Sequence, residues 1–289
     1  MGAFVFSGRE IGHSSPVFIV AEIGINHNGD YELAMDLVRS AAKSGVDAVK
    51  FQKRNPELSV PEDQRLVMRD TPWGRMSYLD YRYRLEFDRQ QYLGLKQEAE
   101  KFGLVFFASP WDMDSFDFLL DLNLDLVKIA SASLTDLELI SAVARAGIPT
   151  IASTGMSSLD EIDRAYQILS VTHLALMHST SSYPCQLPEL NLKVIPQLRQ
   201  RYGCPVGYSG HEVGIPTSVA AVALGACIIE RHFTLDRTLW GSDQAASLEP
   251  KGMETMVRHI RAVEVALGDG IKRVYESELP SRDRLRRVK

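Results

Sequence analysis

The sequence is poor in cysteine, in long apolar runs and in excess positive charge. Its 289 residues include three cysteines, Cys185, Cys204 and Cys227, with no Cys-x-x-Cys pair. An odd count without paired spacing argues against a disulfide framework and favours packing roles in a reducing, cytoplasmic setting. No stretch approaches the roughly 18 apolar residues of a membrane span, and no signal-peptide pattern opens the chain. A net charge of −5 argues against nucleic acid and membrane as partners, so any anionic ligand must be held by locally placed cations.

Short apolar runs recur along the chain and alternate with amphipathic helical segments. The runs occupy residues 17–24, 47–52, 104–110, 125–131, 149–154, 174–180, 205–210 and 227–234. Runs that are apolar on both faces indicate a parallel sheet covered by helices. Eight such units in about 250 residues predict an α/β fold of the (β/α)8, or TIM-barrel, type. A doubly wound open sheet is the alternative, but it places its ligand at one crevice, whereas nearly every run here ends in polar residues.

Two segments fall outside this repeat. Residues 54–88 form an insertion rich in Arg, Tyr and Trp, which we predict to be a long loop with a short helix over the barrel mouth. Residues 276–289 are charged and lack periodicity, which predicts a surface tail. We therefore expect one barrel over residues 1–275 followed by this tail.

Polar side chains cluster at the C-terminal ends of the predicted strands, where a barrel gathers its catalytic groups. They are Glu22, Lys50, Gln52, Ser109, Lys128, Ser131, Ser153, Thr154, His178, Ser179, Ser209, His211, Glu230 and His232. A lysine inside a narrow mouth is costly unless an anion pairs with it. Lys50 and Lys128, with serine hydroxyls around them, suit a phosphate or phosphate-carboxylate ligand. Alternatively, each lysine caps a helix or pairs with Glu22 or Glu230.

Two histidines end neighbouring strands, His211 on the seventh and His232 on the eighth. Two neutral imidazoles plus a carboxylate, here Glu22 on the adjoining first strand, make a plausible divalent-metal site. A single barrel histidine is ordinarily a hydrogen-bonded core residue, but a pair at matching strand ends favours metal. The remaining histidines indicate surface, packing or undecided roles: His13, His27, His173, His178 and His259.

The sequence resembles the sialic acid synthase family over residues 18–287, in motifs that follow the family's order. They are AEIGINHNGD, VKFQ, KIAS, STGMS, SSYP, YSGHE, ERHFTLDR and GSDQAASLEP. The resemblance implies condensation of phosphoenolpyruvate with an open-chain aldose, N-acetylmannosamine-like or a related hexose derivative. The products would be a nonulosonic (2-keto-3-deoxy) sugar acid and inorganic phosphate, and the cofactor a divalent manganese or magnesium ion.

The resemblance also implies roles for individual residues. The residues that would hold phosphoenolpyruvate are Lys50, Ser109, Lys128, Ser131, Ser153 and Ser209. The metal ligands would be His211 and His232. The residues that would contact the sugar are Gln52, Ser133, Ser181, Tyr183 and Asp243. The residues with catalytic roles would be Glu22, Gln52, Tyr183 and Asp243.

Three departures from the family pattern concern the sugar end. Ser133 stands where the family usually has an acid, and Ser181 where it commonly has Asn. The common Gly-Pro-Asp is Gly241-Ser242-Asp243. We also expect a short form without the family's C-terminal antifreeze-like domain, whose Arg enters the partner's site in a homodimer. The insertion supplies candidate replacement cations in Arg69, Arg75, Arg82 and Arg84.

Two other functions remain open at this level. A Schiff-base aldolase would use Lys128 or Lys50, with a pKa lowered in an apolar setting. A catalytically silent, sugar-binding paralogue would explain the loss of the acid at Ser133. Because the departures all lie at the sugar end, the reaction class is better specified than the identity of the sugar.

Overall fold

Eight parallel strands close into a barrel in the computed structural model, which describes residues 4–6, 8–12 and 14–288. In chain order the strands are β1 (Phe4–Phe6), β2 (Arg9–Ile11), β3 (Phe18–Gly24), β4 (Ala48–Lys53), β5 (Met68–Thr71), β6 (Gly74–Ser77), β7 (Val105–Pro110), β8 (Val127–Ile129), β9 (Thr150–Ser153), β10 (Leu174–Ser179), β11 (Val206–Gly210) and β12 (Ile228–His232). The barrel runs β3-β4-β7-β8-β9-β10-β11-β12, and β12 pairs with β3 to close it. The predicted (β/α)8 fold is confirmed, and each predicted run ends within about two residues of its strand.

Helices alternate with the barrel strands, and those from α1 to α7 begin at a side-chain cap. They are α1 (Tyr31–Lys43), α2 (Pro56–Ser59), α3 (Tyr78–Leu85), α4 (Arg89–Lys101), α5 (Met113–Asp121), α6 (Leu137–Ala146), α7 (Leu159–Leu169), α8 (Val194–Tyr202), α9 (Pro216–Ala223), α10 (Pro250–Leu267) and α11 (Leu279–Leu285). The Asp30 side chain accepts a hydrogen bond from Leu33 N, and Gly147 ends α6 in the left-handed conformation. Both positions satisfy backbone groups that a helix end leaves free.

Apolar side chains form two layers of core. Outward-facing strand residues pack against the helices, as Ile19 does with Leu37 and Leu95 in one large buried cluster. A second cluster fills the barrel near the beginnings of its strands, and Phe4 and Phe6 of β1 belong to it. The β1–β2 hairpin, which the sequence did not predict, therefore seals the end of the barrel opposite the mouth.

The insertion is more ordered than the sequence indicated. Instead of a long loop with one short helix, it contains α2, the antiparallel hairpin β5–β6 and α3. Tyr81 and Leu85 of α3 pack on Ile25 in the loop after β3, which places the insertion at the mouth. Gly29 in that loop has φ +72°, and a Cβ there would clash with the carbonyl oxygen of Arg84. A glycine is therefore needed where the loop and α3 meet.

The C-terminal segment lies on the surface. Residues 268–288 are exposed, with a 3-10 turn at Glu276–Glu278 and the helix α11 where the sequence indicated no periodicity. None of the helices in the described residues combines the length and apolar character that crossing a membrane requires.

Candidate active site

A pocket of about 200 Å³ opens at the carboxyl ends of the barrel strands. Predicted site residues that line it are Glu22, Lys50, Gln52, Lys128, Ser131, Ser153, Ser181, Tyr183, Ser209, His211 and His232. The other lining residues are Trp111, Ala130, Ala132, Met156, Ser179 and Glu230. Strands that are distant in the chain thus deliver most of the predicted groups to one place.

Strand register explains this convergence. Glu22 is paired in register with Lys50 on one side and with His232 on the other, and Ser209 lies opposite Glu230. The C-terminal ends of all eight parallel strands open on the same face of a barrel. The charged groups on these strands therefore meet at the C-terminal mouth.

Two buried lysines and two buried glutamates form the centre of the pocket. Lys50 Nζ lies 2.9 Å from Glu22 Oε2 and 3.9 Å from Glu230 Oε1. Lys128 Nζ lies 3.0 Å from the same Glu230 oxygen. Each lysine is therefore paired with a carboxylate, as the alternative interpretation of the sequence held. Glu230 bridges the two lysines, a role that the sequence did not predict for it.

The pKa values of these groups follow from burial and neighbouring charge. Burial opposes the charged form of Lys50, but Glu22 and Glu230 outweigh it and raise the pKa of Lys50. Burial lowers the pKa of Lys128, because Glu230 offsets it only in part and Lys50 repels it. Burial also disfavours ionised Glu230, yet Lys128 and Lys50 bring its pKa down to about 2. Glu230 is therefore a carboxylate at neutral pH.

Several polar atoms of the lining residues lack partners. Within the described residues, Ser153 Oγ, Ser179 Oγ, Glu230 Oε2 and Trp111 Nε1 are buried without a hydrogen bond. Buried polar groups in folded proteins are normally hydrogen-bonded, so such a concentration in one pocket indicates a polar ligand.

The two histidines face each other across the pocket. Their ring centroids are 5.5 Å apart, and the Tyr183 ring lies 4.2 Å from that of His211. His211 Nδ1 is 2.7 Å from the carbonyl oxygen of Thr180, to which it donates its proton, so Nε2 keeps a free lone pair that can accept a hydrogen bond or bind a metal. Burial, with His232 second, lowers the pKa of His211 to about 3, so the ring is neutral.

The imidazole nitrogens and the nearby carboxylate are the kinds of atom that coordinate a divalent metal. Asp243 Oδ2 lies 3.7 Å from His232 Nδ1, which itself has no hydrogen-bond partner in the described part of the chain. Two imidazoles with a nearby carboxylate are ligand types that divalent first-row metals use. No group of three or more His, Cys, Asp or Glu side chains converges as a metal site among residues 4–6, 8–12 and 14–288. Glu22, predicted near the metal, is held instead by Lys50 and Gln52.

Five predicted residues do not line the pocket, and two of them, Thr154 and His178, line a neighbouring cavity instead. Ser109 lies behind the lining, where its Oγ accepts a hydrogen bond from Lys50 Nζ at 3.2 Å. Ser133 is buried in the 3-10 turn that follows β8. Asp243 is outside the lining, and its Oδ2 lies 3.7 Å from His232 Nδ1.

The sequence also missed Trp111 and Arg54. Trp111 lines the pocket just after β7, and the Arg54 guanidinium stacks on its ring at 3.3 Å. The only sequence signal was the position of each immediately after a strand, at the mouth of the barrel.

Ammonium, carboxylate, hydroxyl and imidazole groups meet at the C-terminal strand ends of this barrel, where TIM-barrel enzymes have their active sites. The fold and the site together define the protein as a TIM-barrel enzyme. The chain belongs to the NeuB family, which it matches over residues 37–272, and this confirms the resemblance inferred from the motifs.

Two related proteins and one solved structure each match at least 90% of the chain. It is 39% identical to human N-acetylneuraminate-9-phosphate synthase, over 96% of this chain and 79% of that protein. It is 40% identical to N,N'-diacetyllegionaminic acid synthase of Campylobacter jejuni, over 90% of this chain and 80% of that protein. A crystal structure of N-acetylneuraminic acid synthetase from Leptospira borgpetersenii, in complex with citrate, superposes with a TM-score of 0.88 at 34% identity. It covers 99% of this chain and 98% of that one.

Proposed function

We propose that the chain condenses phosphoenolpyruvate with an open-chain hexose derivative, N-acetylmannosamine-like or related, to give a nonulosonic acid and inorganic phosphate. The observation that carries the proposal is the buried cluster of Lys50, Lys128, Glu22 and Glu230 beside two facing histidines. The names of the family relatives point to the same reaction class. Neither the Schiff-base aldolase nor the silent paralogue gains support from those relatives.

The lysine side of the pocket binds phosphoenolpyruvate in this proposal. Lys50 and Lys128 provide two positive charges, and Ser131, Ser153 and Ser209 provide hydroxyls at the same wall. Because both lysines are buried, their attraction for a phosphate or carboxylate group is screened little by water. Ser109 assists indirectly, through its hydrogen bond with Lys50.

The histidine side of the pocket receives the sugar aldehyde. Tyr183 packs on His211, and Gln52 lines the wall beside Glu22. His211 and His232, with Asp243 beside them, would hold a divalent manganese or magnesium ion, whose chemistry is Lewis-acid polarisation of the aldehyde oxygen.

The reaction needs little covalent chemistry from the protein. Carbon 3 of phosphoenolpyruvate forms the new bond to the aldehyde carbon, water adds at carbon 2, and the carbon–oxygen bond to phosphate breaks. In this proposal Glu22 orients that water, and its contacts with Lys50 Nζ at 2.9 Å and Gln52 Nε2 at 2.8 Å support the role by holding its carboxylate in the pocket. The main contributions are positioning and balancing of charge.

The proposal extends to a cytoplasmic homodimer. The three cysteines are free thiols, which suits a reducing compartment. Analytical ultracentrifugation of the purified chain tests the dimer.

A phosphate-release assay tests the reaction. The wild-type protein, with manganese, is mixed with phosphoenolpyruvate and each member of a broad panel of aldoses. We expect release only when both reactants are present, and loss of release when a chelator removes the metal. Absence of release with every aldose would contradict the proposed function, and an unchanged rate after chelation would contradict the metal.

A further inference from the structure

The side-chain amide of Gln52 lies between a cation and an anion. Arg54 donates from one terminal nitrogen to Gln52 Oε1 at 2.9 Å. Gln52 Nε2 donates to Glu22 Oε1 at 2.8 Å, and Glu22 Oε2 is paired with Lys50. The four side chains form one chain of contacts that runs from the edge of the insertion into the centre of the pocket.

The chemistry of the two neighbours allows a single orientation of this amide. A guanidinium has only donors, and an ionised carboxylate has only acceptors. The amide oxygen must therefore face Arg54, and the amide nitrogen must face Glu22. Gln52 Nε2 carries a second N–H, which remains for the pocket that Gln52 lines.

Arg54 is built to hold this position. Its side chain is only 8% exposed, and its guanidinium stacks on Trp111 at 3.3 Å. Its backbone N–H donates to Glu86, whose carboxylate is paired with Lys53 Nζ at 2.8 Å. In the described chain Arg54 itself forms no ion pair, so its charge acts on the amide of Gln52. Burial, with Arg82 second, lowers the pKa of Arg54 to about 9, which leaves it charged at neutral pH.

The backbone makes room for the contact. Gly24, at φ +55°, lies where β3 shifts register against β4. A Cβ there would come within 3.0 Å of Glu22 Oε1 and 3.1 Å of Gln52 Nε2. A larger residue would therefore press on the Gln52–Glu22 hydrogen bond.

We propose that Arg54 is a positioning residue for recognition of the sugar, which it controls by fixing the orientation of the Gln52 amide. The proposal rests on the proposed function. With this orientation Gln52 offers an N–H donor to the sugar, so the group recognised there is an oxygen that accepts a hydrogen bond, a hydroxyl or a carbonyl. Arg54 acts through Gln52 and does not touch the reacting atoms.

The test is a double-substitution cycle in the full-length, metal-loaded protein. Arg54→Met, Gln52→Leu and the double variant are assayed for phosphate release with the aldose that reacts fastest with the wild type. We expect Arg54→Met to raise KM for that aldose about tenfold, with KM for phosphoenolpyruvate unchanged within about twofold. The double variant should be no worse than Gln52→Leu, because both changes remove one function. Arg54→Lys, which keeps a donor, should restore part of the affinity.

Controls separate positioning from stability. Arg65→Met, on the same insertion and paired with Glu57 at 3.3 Å, should leave both KM values unchanged. If Arg54→Met does not fold, as judged by thermal melting, Arg54→Gln replaces it. That side chain stays polar but has both a donor and an acceptor, so it no longer fixes the Gln52 amide and the aldose KM should still rise.

Three outcomes would overturn the inference. They are additive effects in the cycle, an unchanged aldose KM in Arg54→Met, and equal weakening of both substrates. A wild type that releases phosphate while Arg54→Met matches it refutes this inference alone. A wild type that releases none with any aldose refutes the proposed function, and the inference falls with it.

Discussion

Lys128 Nζ lies 3.0 Å from Glu230 Oε1, and the two side chains are only 2% and 7% exposed. The same oxygen is 3.9 Å from Lys50 Nζ and accepts a hydrogen bond from Ser209 Oγ at 3.2 Å. Glu230 therefore orders the cationic wall of the pocket before any substrate arrives. A substrate anion shares these lysines with an internal carboxylate, which keeps two like charges together at low cost.

Lys128→Ala should weaken phosphoenolpyruvate binding and destabilise the fold. Removal of one ammonium from a buried anion site should lower kcat/KM for phosphoenolpyruvate on the order of 10²-fold. Glu230 would also lose its closest partner, which should cost about 3 kcal/mol of unfolding free energy. Steady-state kinetics and urea denaturation measure the two effects.

The double variant Lys128→Ala with Glu230→Gln is the control. It removes the unpaired charge, so stability should return toward wild type while activity stays low. Full activity in Lys128→Ala would show that the lysine does not hold phosphoenolpyruvate.

His232→Ala should abolish metal binding and activity while the barrel remains folded. A metal ligand contributes several kcal/mol of transition-state stabilisation and little packing, so kcat should fall at least about 10²-fold. His173→Ala, away from the pocket, should leave activity and metal content intact. Elemental analysis and circular dichroism complete the measurement, and retention of both metal and rate in His232→Ala would refute the site.

Gly155→Ala should damage the pocket by moving the loop after β9. A Cβ at position 155 would clash with Ser181 Oγ and come within 2.8 Å of Ser131 Oγ, both on lining residues. Gly252→Ala in α10 is the matched control, because its Cβ would make only ordinary contacts from 3.7 Å outward. We expect Gly252→Ala to stabilise the protein by about 0.5–1 kcal/mol. Gly155→Ala should lower activity, and equal behaviour of the two variants would contradict the packing argument.

The stability of the protein should fall as the pH drops below about 6.5, partly because of His27. Its ring stacks on Phe87 at 4.3 Å, and burial lowers its pKa to about 3. Between pH 3 and 6.5 the unfolded chain binds a proton at His27 that the native state does not, so stability rises with pH there.

The substitution His27→Gln removes this ionisable group and so tests its contribution to the pH dependence of the unfolding free energy. Urea denaturation from pH 4 to 7 should show a slope smaller by about 1.4 kcal/mol per pH unit than in the wild type. Identical slopes would mean that His27 is protonated in the native state.

The barrel strands were predictable because each is an apolar run buried on both faces. The helix start at Asp30 and the stop at Gly147 were also readable, since capping depends on local chemistry. The hairpins were not. β1 and β2 have three residues each, and β5–β6 reads MRDT and GRMS, so neither shows an alternating apolar pattern. Tertiary contacts define these strands.

The sequence predicted which strand ends form the site, but not which side chains pair with one another there. Parallel register brings Lys50, Lys128, His211 and His232 to one mouth whichever side chains surround them. Side-chain directions, which the sequence does not give, decide the partners. Glu230 bridges both lysines, and Arg54 donates a hydrogen bond to Gln52, because their side chains point toward these groups. Ser133 was expected to contact the sugar from the resemblance alone, but the 3-10 turn that carries it leaves it outside the lining.

The hairpin of Phe4–Phe6 and Arg9–Ile11 closes the end of the barrel at which the strands begin. Met156 and Tyr183 are exposed members of the pocket lining, and Lys50 and Lys128 are buried beneath them. In the proposed reaction phosphoenolpyruvate binds at the lysines, so an aldose bound above it would block its exit. Substrate binding would then be ordered, and we expect an excess of aldose over phosphoenolpyruvate to inhibit the reaction.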